Sequence, residues 1–513
     1  MTTTLSFAPT INGRPLPIDD VPLVSLDDFR QSLHSQLQHP STALLALFGM
    51  PSGPHTLRLY GLTNNGATGE IGVLATSIGE RYPALTQHIT QTHWFEREIA
   101  EQWGVVPENH PWLKPIRFHA SYRPGRDAWD RQSVGAIQPA VQPGGTDYFS
   151  VRGREIHEVA VGPVHAGVIE PGHFRFQCHG EKVFSLEISL SYQHRGIERQ
   201  LVGGPHKRTL HHMETLAGDT SIAHATAYAQ LYEGLSGTEP PLRAQAIRAV
   251  ALELERLANH TGDLGALAGD VGFLPTLSFC GRIRGEFLNC SALICGSRFG
   301  RGLVRPGGVA FDITPDMSGE LQKRITAAHR DITGAANLLW RSASVMARLE
   351  DVGTVDFETA QALGVIGMAG RASGHDRDIR RDAPAGFYRF AQIPVSTWHT
   401  GDVFARTYVR HLEIQRSSEF LREVLTELPR DAIQSNRATL QPHSFCVSLV
   451  EAWRGVVCHV GITDADGKFR HYKIVDPSFH NWIGLAIALR NQQISDFPLC
   501  NKSFNLSYCG HDL

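Results

Sequence analysis

The sequence predicts an α+β protein, with a small α/β unit over residues 1–118 and a large, mostly helical domain over 149–513 that opens with a β-sheet. Three observations predict this. Short apolar runs bounded by turn residues cluster before residue 80 and again between 158 and 189, as strands do. Beyond them, apolar residues recur at helical spacing. Between the two parts, His119–Tyr148 is rich in Pro, Gly and Arg and has no apolar period, so it reads as a linker.

Each element follows from its residues. Leu57–Gly61 and Ile71–Ala75 read as strands around the turn-forming Asn64–Gly69. Phe95, Ile99 and Trp103 recur every four residues and place a helix over Trp94–Gly104. Glu158–Val161, His173–Gln177 and Val183–Ser189 read as the sheet that opens the large domain. In Arg243–Leu267, Ile247, Val250, Ala251, Leu254, Leu257, Ala258, Leu264 and Leu267 fall at spacings of three and four, the pattern of a buried helix face. Pro306–Gly308 and Pro384–Gly386 punctuate later elements.

Composition narrows the function. The chain has 513 residues, 42% hydrophobic and 19% charged, which excludes wholesale disorder and leaves a charge-poor surface suited to neighbouring subunits. The 48 basic and 51 acidic residues give a net charge of −3, so nothing supports nucleic-acid binding. Ala43–Met50 and Trp482–Leu489 are the most apolar runs, and each is far short of the roughly 20 residues that span a bilayer. Met1–Leu5 lacks the features of a signal peptide. The expected location is therefore peripheral, on the cytoplasmic side of the cell membrane, reached through a partner. The eight cysteines (178, 280, 290, 295, 446, 458, 500 and 509) form no C-x-x-C pair, so buried thiols are expected rather than a resident cluster.

Histidine, by contrast, is abundant, with 26 residues. Several lie in dense polar segments: Gly162–Phe176 with His165 and His173, then Tyr192–Glu198 with His194, Arg195 and Glu198. Histidine can donate to an acceptor oxygen or relay a proton near neutral pH. The plainer alternative is a set of histidines satisfied inside turns.

These segments, with Glu253–Asp263, Gly370–Arg380, Arg454-Gly455 and Asp476–Phe479, resemble the large subunit of energy-converting [NiFe] hydrogenases of the formate hydrogenlyase type. That family is homologous to the 49-kDa quinone-site subunit of complex I. Glu96–Ile99, Gly104-Val105 and His110-Pro111 are similar to the 30-kDa subunit of complex I, fused ahead of it. The resemblance implies a [4Fe–4S] cluster in a partner small subunit and a membrane arm with antiporter-like subunits. It also implies coupling of redox or proton chemistry to ion movement. Quinone, and NAD at the level of the whole complex, are the cofactors of the complex I branch.

One departure bears on the chemistry. Hydrogenases of this family hold nickel and iron with cysteines in R-x-C-G-x-C and D-P-C-x-x-C motifs, because thiolates are soft, anionic and able to bridge two metals. Here Ala217 and Thr220 stand at the first pair of positions, and Ser478 and Asn481 at the second. No nickel–iron centre is expected, and no cofactor bound by this chain alone. The tyrosine that complex I places near its quinone is also missing, with Gly218 in its place.

The resemblance assigns the remaining candidates. His165 and His173 fall in the loop beside the quinone headgroup. His194 and Glu198 are proton-path candidates, four residues apart if the segment is helical. Asp270 resembles the acidic partner of the loop histidine. Arg371 and Arg380 would organise charge toward a cluster-bearing neighbour. A quinone reductase, a non-catalytic scaffold and an active hydrogenase remain as alternatives.

Overall fold

The computed structural model describes residues 7–131, 145–165 and 169–513. The predicted α+β class holds. In the N-terminal part, Ala8–Thr10, Glu70–Ile78, Leu57–Asn65 and Thr42–Pro51 form an antiparallel sheet in that order, with Leu23–Val24 added in parallel to Glu70–Ile78. Helix Leu26–Leu37 starts at Ser25, whose side chain accepts from the Asp28 amide, and lays Phe29, Leu33 and Leu37 on the sheet. Gly61 makes that approach possible, since a Cβ there would sit 2.9 Å from Phe29 Cζ. Helix His93–Trp103 ends at Gly104 in the left-handed conformation (φ 62°), as a C-terminal glycine should.

The large domain opens with the antiparallel strands Ile156–Val161, His173–His179 and Lys182–Ser189, the middle one being His173–His179. Its body is a bundle of four long helices, Leu242–Asp270, Leu274–Cys295, Pro315–Trp340 and Val403–Thr426. The helix expected over Arg243–Leu267 is the first of these.

Two features differ from the sequence reading. A second sheet, Phe469–Val475, Val456–Thr463, Ser444–Glu451 and Pro15–Pro17 in that order, closes the C-terminal part, where the sequence points only to helices. All eight residues of Ser444–Glu451 are buried, so the strand carries no polar alternation to betray it. The last member of that sheet comes from the N-terminus, and proline suits the position because an edge strand does not need every amide. Residues on either side of position 118 thus share one sheet. The segment read as a linker lies partly outside the described residues (132–144).

The two most apolar runs belong to the core. Thr42–Pro51 is a strand buried on both faces, and Trp482 and Leu485 are fully buried in helix Pro477–Ala488. No described helix is long and apolar enough to cross a membrane.

Docking of the N-terminal segment depends on Gly234, where a Cβ would meet the Gly13 carbonyl oxygen at 2.2 Å and Cys446 Sγ at 3.1 Å. Gly234→Ala should therefore destabilise the protein by about 1–3 kcal/mol. Denaturant titration checks this, and an unchanged midpoint would show that the N-terminal strand does not rest there.

Candidate functional site

The turn ahead of helix Ser221–Ser236, the second sheet of the large domain and the start of helix Pro477–Ala488 meet in one buried region. Asp219 grips Arg454 with both carboxylate oxygens, at 2.6 and 2.8 Å. The guanidinium lies 3.8 Å from the Trp453 ring centroid. Thr220 Oγ1 accepts from Arg454 Nη1 and from Trp453 Nε1, both at 3.2 Å. Across the site, His224 Nε2 meets Asp476 Oδ2 at 3.0 Å, and the Asp476 side chain also caps its helix by accepting from the Ser478 amide.

Behind His224 the bonds continue. His224 Nδ1 lies 3.1 Å from His459 Nε2, and His459 Nδ1 lies 2.9 Å from the Tyr472 hydroxyl. One proton assignment satisfies every atom: Tyr472 donates to His459, His459 to His224, and His224 to an ionised Asp476. Electrostatics agree with it. Burial, reinforced by His224, holds His459 well below the usual histidine range. Burial also pushes Asp476 up, but the bond from His224, its charge, and Arg454 outweigh that and keep the carboxyl low. Burial raises Tyr472 well above its ordinary value.

Ala217, Thr220, Ser478 and Asn481, the positions expected from the resemblance to match the nickel–iron ligands, belong to these elements, and their polar atoms are already committed. Ala217 offers only its carbonyl, which accepts from the Thr220 amide. Ser478 Oγ accepts from the Ser507 amide at 2.8 Å, and the Asn481 amide exchanges two bonds with the Ile366 backbone. Cys509 sits beside Ser507, and burial together with Glu170 pushes it up to about 12. The set lacks the anionic sulfur that a bridging nickel–iron centre needs, and the residues do not fit that group. Among the described residues no cluster of three or more His, Cys, Asp and Glu is placed to hold a metal ion.

The sequence-predicted candidates are distributed over several places. His173 Nδ1 donates to the Gly162 carbonyl at 3.1 Å and Nε2 accepts from Arg175 at 3.2 Å, while burial lowers its pKa. His165 Nε2 bonds the Gly172 carbonyl at 3.1 Å, so both histidines pin the same turn; residues 166–168 of that turn lie outside the described residues. His194 is not on a helix with Glu198, because the helix starts at Ile197 after Gly196 in the left-handed conformation. Instead His194 Nδ1 donates to the Asp512 carbonyl at 2.7 Å and its ring stacks on His119 with centroids 5.0 Å apart. Burial, aided by Arg117, lowers His194 to about 4, and burial lowers His119 to about 4.

Glu198 joins a buried cluster that the sequence reading missed. Lys473 Nζ donates to Glu198 Oε1 at 3.0 Å and to both oxygens of Glu98 at 2.6 and 2.7 Å, and Arg117 also pairs with Glu98. Burial pushes Glu98 up, but Arg117 and Lys473 outweigh it and hold it at about 2. Asp270 is the exposed last residue of its helix. It does not partner the loop histidines, which bond the Gly162 and Gly172 carbonyls instead. Arg371 and Arg380 do not face a neighbouring surface. Arg371 is 1% exposed and binds Glu413 and Glu451, and Arg380 binds Asp378 and Glu253. With Arg256 they set three guanidiniums against four carboxylates, and burial pushes Glu451 up against the pull of Arg371.

Comparison with known proteins agrees with this architecture. Residues 270–445 match the family described as respiratory-chain NADH dehydrogenase, 49 Kd subunit. Residues 55–132 match the respiratory-chain NADH dehydrogenase, 30 Kd subunit. Formate hydrogenlyase subunit 5 of Escherichia coli (strain K12) is 28% identical over 443 residues, covering 83% of this chain and 76% of that protein. An NADH-quinone oxidoreductase subunit of Herpetosiphon aurantiacus is 30% identical over 359 residues, covering 68% of this chain and 96% of that protein. Membrane-bound hydrogenase subunit alpha of Pyrococcus furiosus is 28% identical over 370 residues, covering 68% and 85%. The chain belongs to the family of complex I 49-kDa-type and hydrogenase-related large subunits, with a 30-kDa-type segment fused ahead.

Two outcomes follow from the buried charges. Lys473→Met leaves Glu98 and Glu198 short of a counter-ion and should cost about 3–5 kcal/mol. Adding Glu198→Gln should recover part of that loss in the same denaturation assay. Because His119 and His194 are depressed from 6.5 to about 4, the unfolded chain binds protons that the folded chain refuses. Stability should be full above pH 6.5 and decline toward pH 4, and His119→Phe with His194→Phe should flatten that decline.

Proposed function

We propose that this chain is the large subunit of a peripheral, membrane-associated redox complex of the complex I and hydrogenase type, one that works without nickel and iron. The observation that carries the reading is the replacement of the thiolate set by an Asp219–Arg454 ion pair and a hydrogen-bonded relay from Asp476 through His224 and His459 to Tyr472. On this reading an iron–sulfur small subunit carries the electrons, antiporter-like subunits form the membrane arm, and the assembly stands on the cytoplasmic side.

The relay suits proton storage. A change of charge beside the site is felt first by Asp476 and His224, which lie next to Arg454 and the substituted ligand positions. Tyr472 holds its proton at the far end and every ring nitrogen of the two histidines is already engaged, so a proton taken up would stay on Asp476 and weaken the bond it accepts from His224. That change alters the bonds to the second sheet, and movement of the sheet would transmit the redox state. A quinone reductase is the second reading. It is favoured by the likeness to an NADH-quinone oxidoreductase component and by the paired His165 and His173, which pin a turn of the kind that faces a quinone.

The test uses the reconstituted complex. His224→Gln and Asp476→Asn should abolish redox-driven ion movement while assembly is intact, and metal analysis should find no stoichiometric nickel. Full activity in both variants would make the chain a scaffold, and stoichiometric nickel would restore the hydrogenase reading. Loss of quinone reduction in His173→Ala, with His224→Gln still active, would select the quinone reductase.

A further inference from the structure

A further cavity lies at the seam between the N-terminal sheet and the large domain. It is about 40 Å³ in volume and is lined by the start of strand Thr42–Pro51, by Gln91, and by the 360–382 stretch of the large domain. A single water needs roughly 10–15 Å³ on the same measure, so the space holds a few heavy atoms. Its walls are mainly apolar, including Leu44, Val365 and Ile366.

Four of its lining side chains carry a buried polar atom with no hydrogen-bond partner among the described residues: Arg377 Nε, Thr42 Oγ1, Gln91 Oε1 and Arg371 Nη2, the last still 2.8 Å from Glu413 Oε1. The first three, on side chains that line one cavity, are groups a guest there could satisfy. The charges around it are unequal in their engagement. Asp378 is taken by Arg380, Asp382 by Arg381, and Glu451 by Arg371. Among the described residues Arg377 has no carboxylate within ion-pair distance, and its Nη2 reaches only Asn64, at 3.2 Å from Oδ1. Burial lowers it to about 10. Asp382 and Glu451 act on it from beyond bonding distance, so its Nε–H is left free to donate to an anion in the cavity.

We propose that this cavity binds a small hydroxycarboxylate of two or three carbons. The carboxylate would accept from Arg377 Nε–H and from the Thr42 hydroxyl, the ligand hydroxyl would donate to Gln91 Oε1, and the carbon skeleton would rest on the apolar wall. The match is one of donors to acceptors: two protein donors for the anion and one protein acceptor for the hydroxyl. Gln91, Gln361 and Arg377 are only partly buried, which gives the ligand its way in. A bound molecule would touch both parts of the chain and hold them together.

The experiment is titration of the full chain, dialysed free of small acids, with glycolate and with lactate, read by calorimetry and by thermal unfolding. Saturable binding with a Kd of roughly 0.1–1 mM is expected for so few heavy atoms, with a midpoint raised by about 2–4 °C near saturation. Acetate should bind more weakly for want of the hydroxyl, and propane-1,2-diol should not bind. Arg377→Gln should weaken glycolate at least tenfold. The near-isosteric Thr42→Val should weaken it several-fold, and it serves as the control if the arginine variant does not fold. Absence of saturable binding by either acid, or binding that both variants leave unchanged, would overturn the proposal and assign the orphaned atoms to water.

Discussion

A charge removed from water must meet its opposite, and this requirement shapes the molecule. Lys473 is the clearest case. It lies on a strand of the second sheet, yet its ammonium is shared between Glu98 on a helix of the N-terminal part and Glu198 just beyond the first sheet of the large domain. None of the three would be tolerated alone in such a place. Arg117 completes the cluster from the next segment and also donates to the His511 carbonyl. Four distant parts of the chain are thereby held in one register, by groups whose pairing is directional as well as strong.

The same logic governs the candidate site. A nickel–iron centre would bring its own charge and would need thiolates around it. On the reading that Ala217, Thr220, Ser478 and Asn481 stand in their place, the region balances its charges internally: Arg454 neutralises Asp219 and bears on Asp476, while His224 and His459 carry the remaining bonds. The side chains of this region form a closed polar network. This is why the proposed chemistry is that of protons, with electrons assigned to a neighbour. The second buried network, centred on Arg371 and Arg380, sets its carboxylates against guanidiniums in the same way, with burial pushing Glu451 up and Arg371 opposing it.

Burial also explains why the sequence is hard to read in particular stretches. Strand Ser444–Glu451 is covered on both faces, so its residues never alternate, and periodicity distinguishes it poorly from a helix. His459, in the apolar run Val456–Thr463, is the one signal there of a buried polar partner. Glu98 gives a similar hint, standing in a helix where Glu96, Glu101 and Gln102 are also buried. In each case the residue type is visible while its partner, hundreds of positions away, is not.

The sequence by itself determined the α+β class, the hairpin over Leu57–Ile78, the helix ending at Gly104, and the long helix within Leu242–Asp270, because turn residues and apolar periods act locally. Only the tertiary structure decided that Pro15–Pro17 completes a sheet of the large domain and that His194 leaves Glu198 for His119 and the Asp512 carbonyl. It alone turned Arg371 and Arg380 inward. Those outcomes rest on which distant surfaces exclude water together, and on which opposite charge is nearest once they have, quantities that no window of sequence contains.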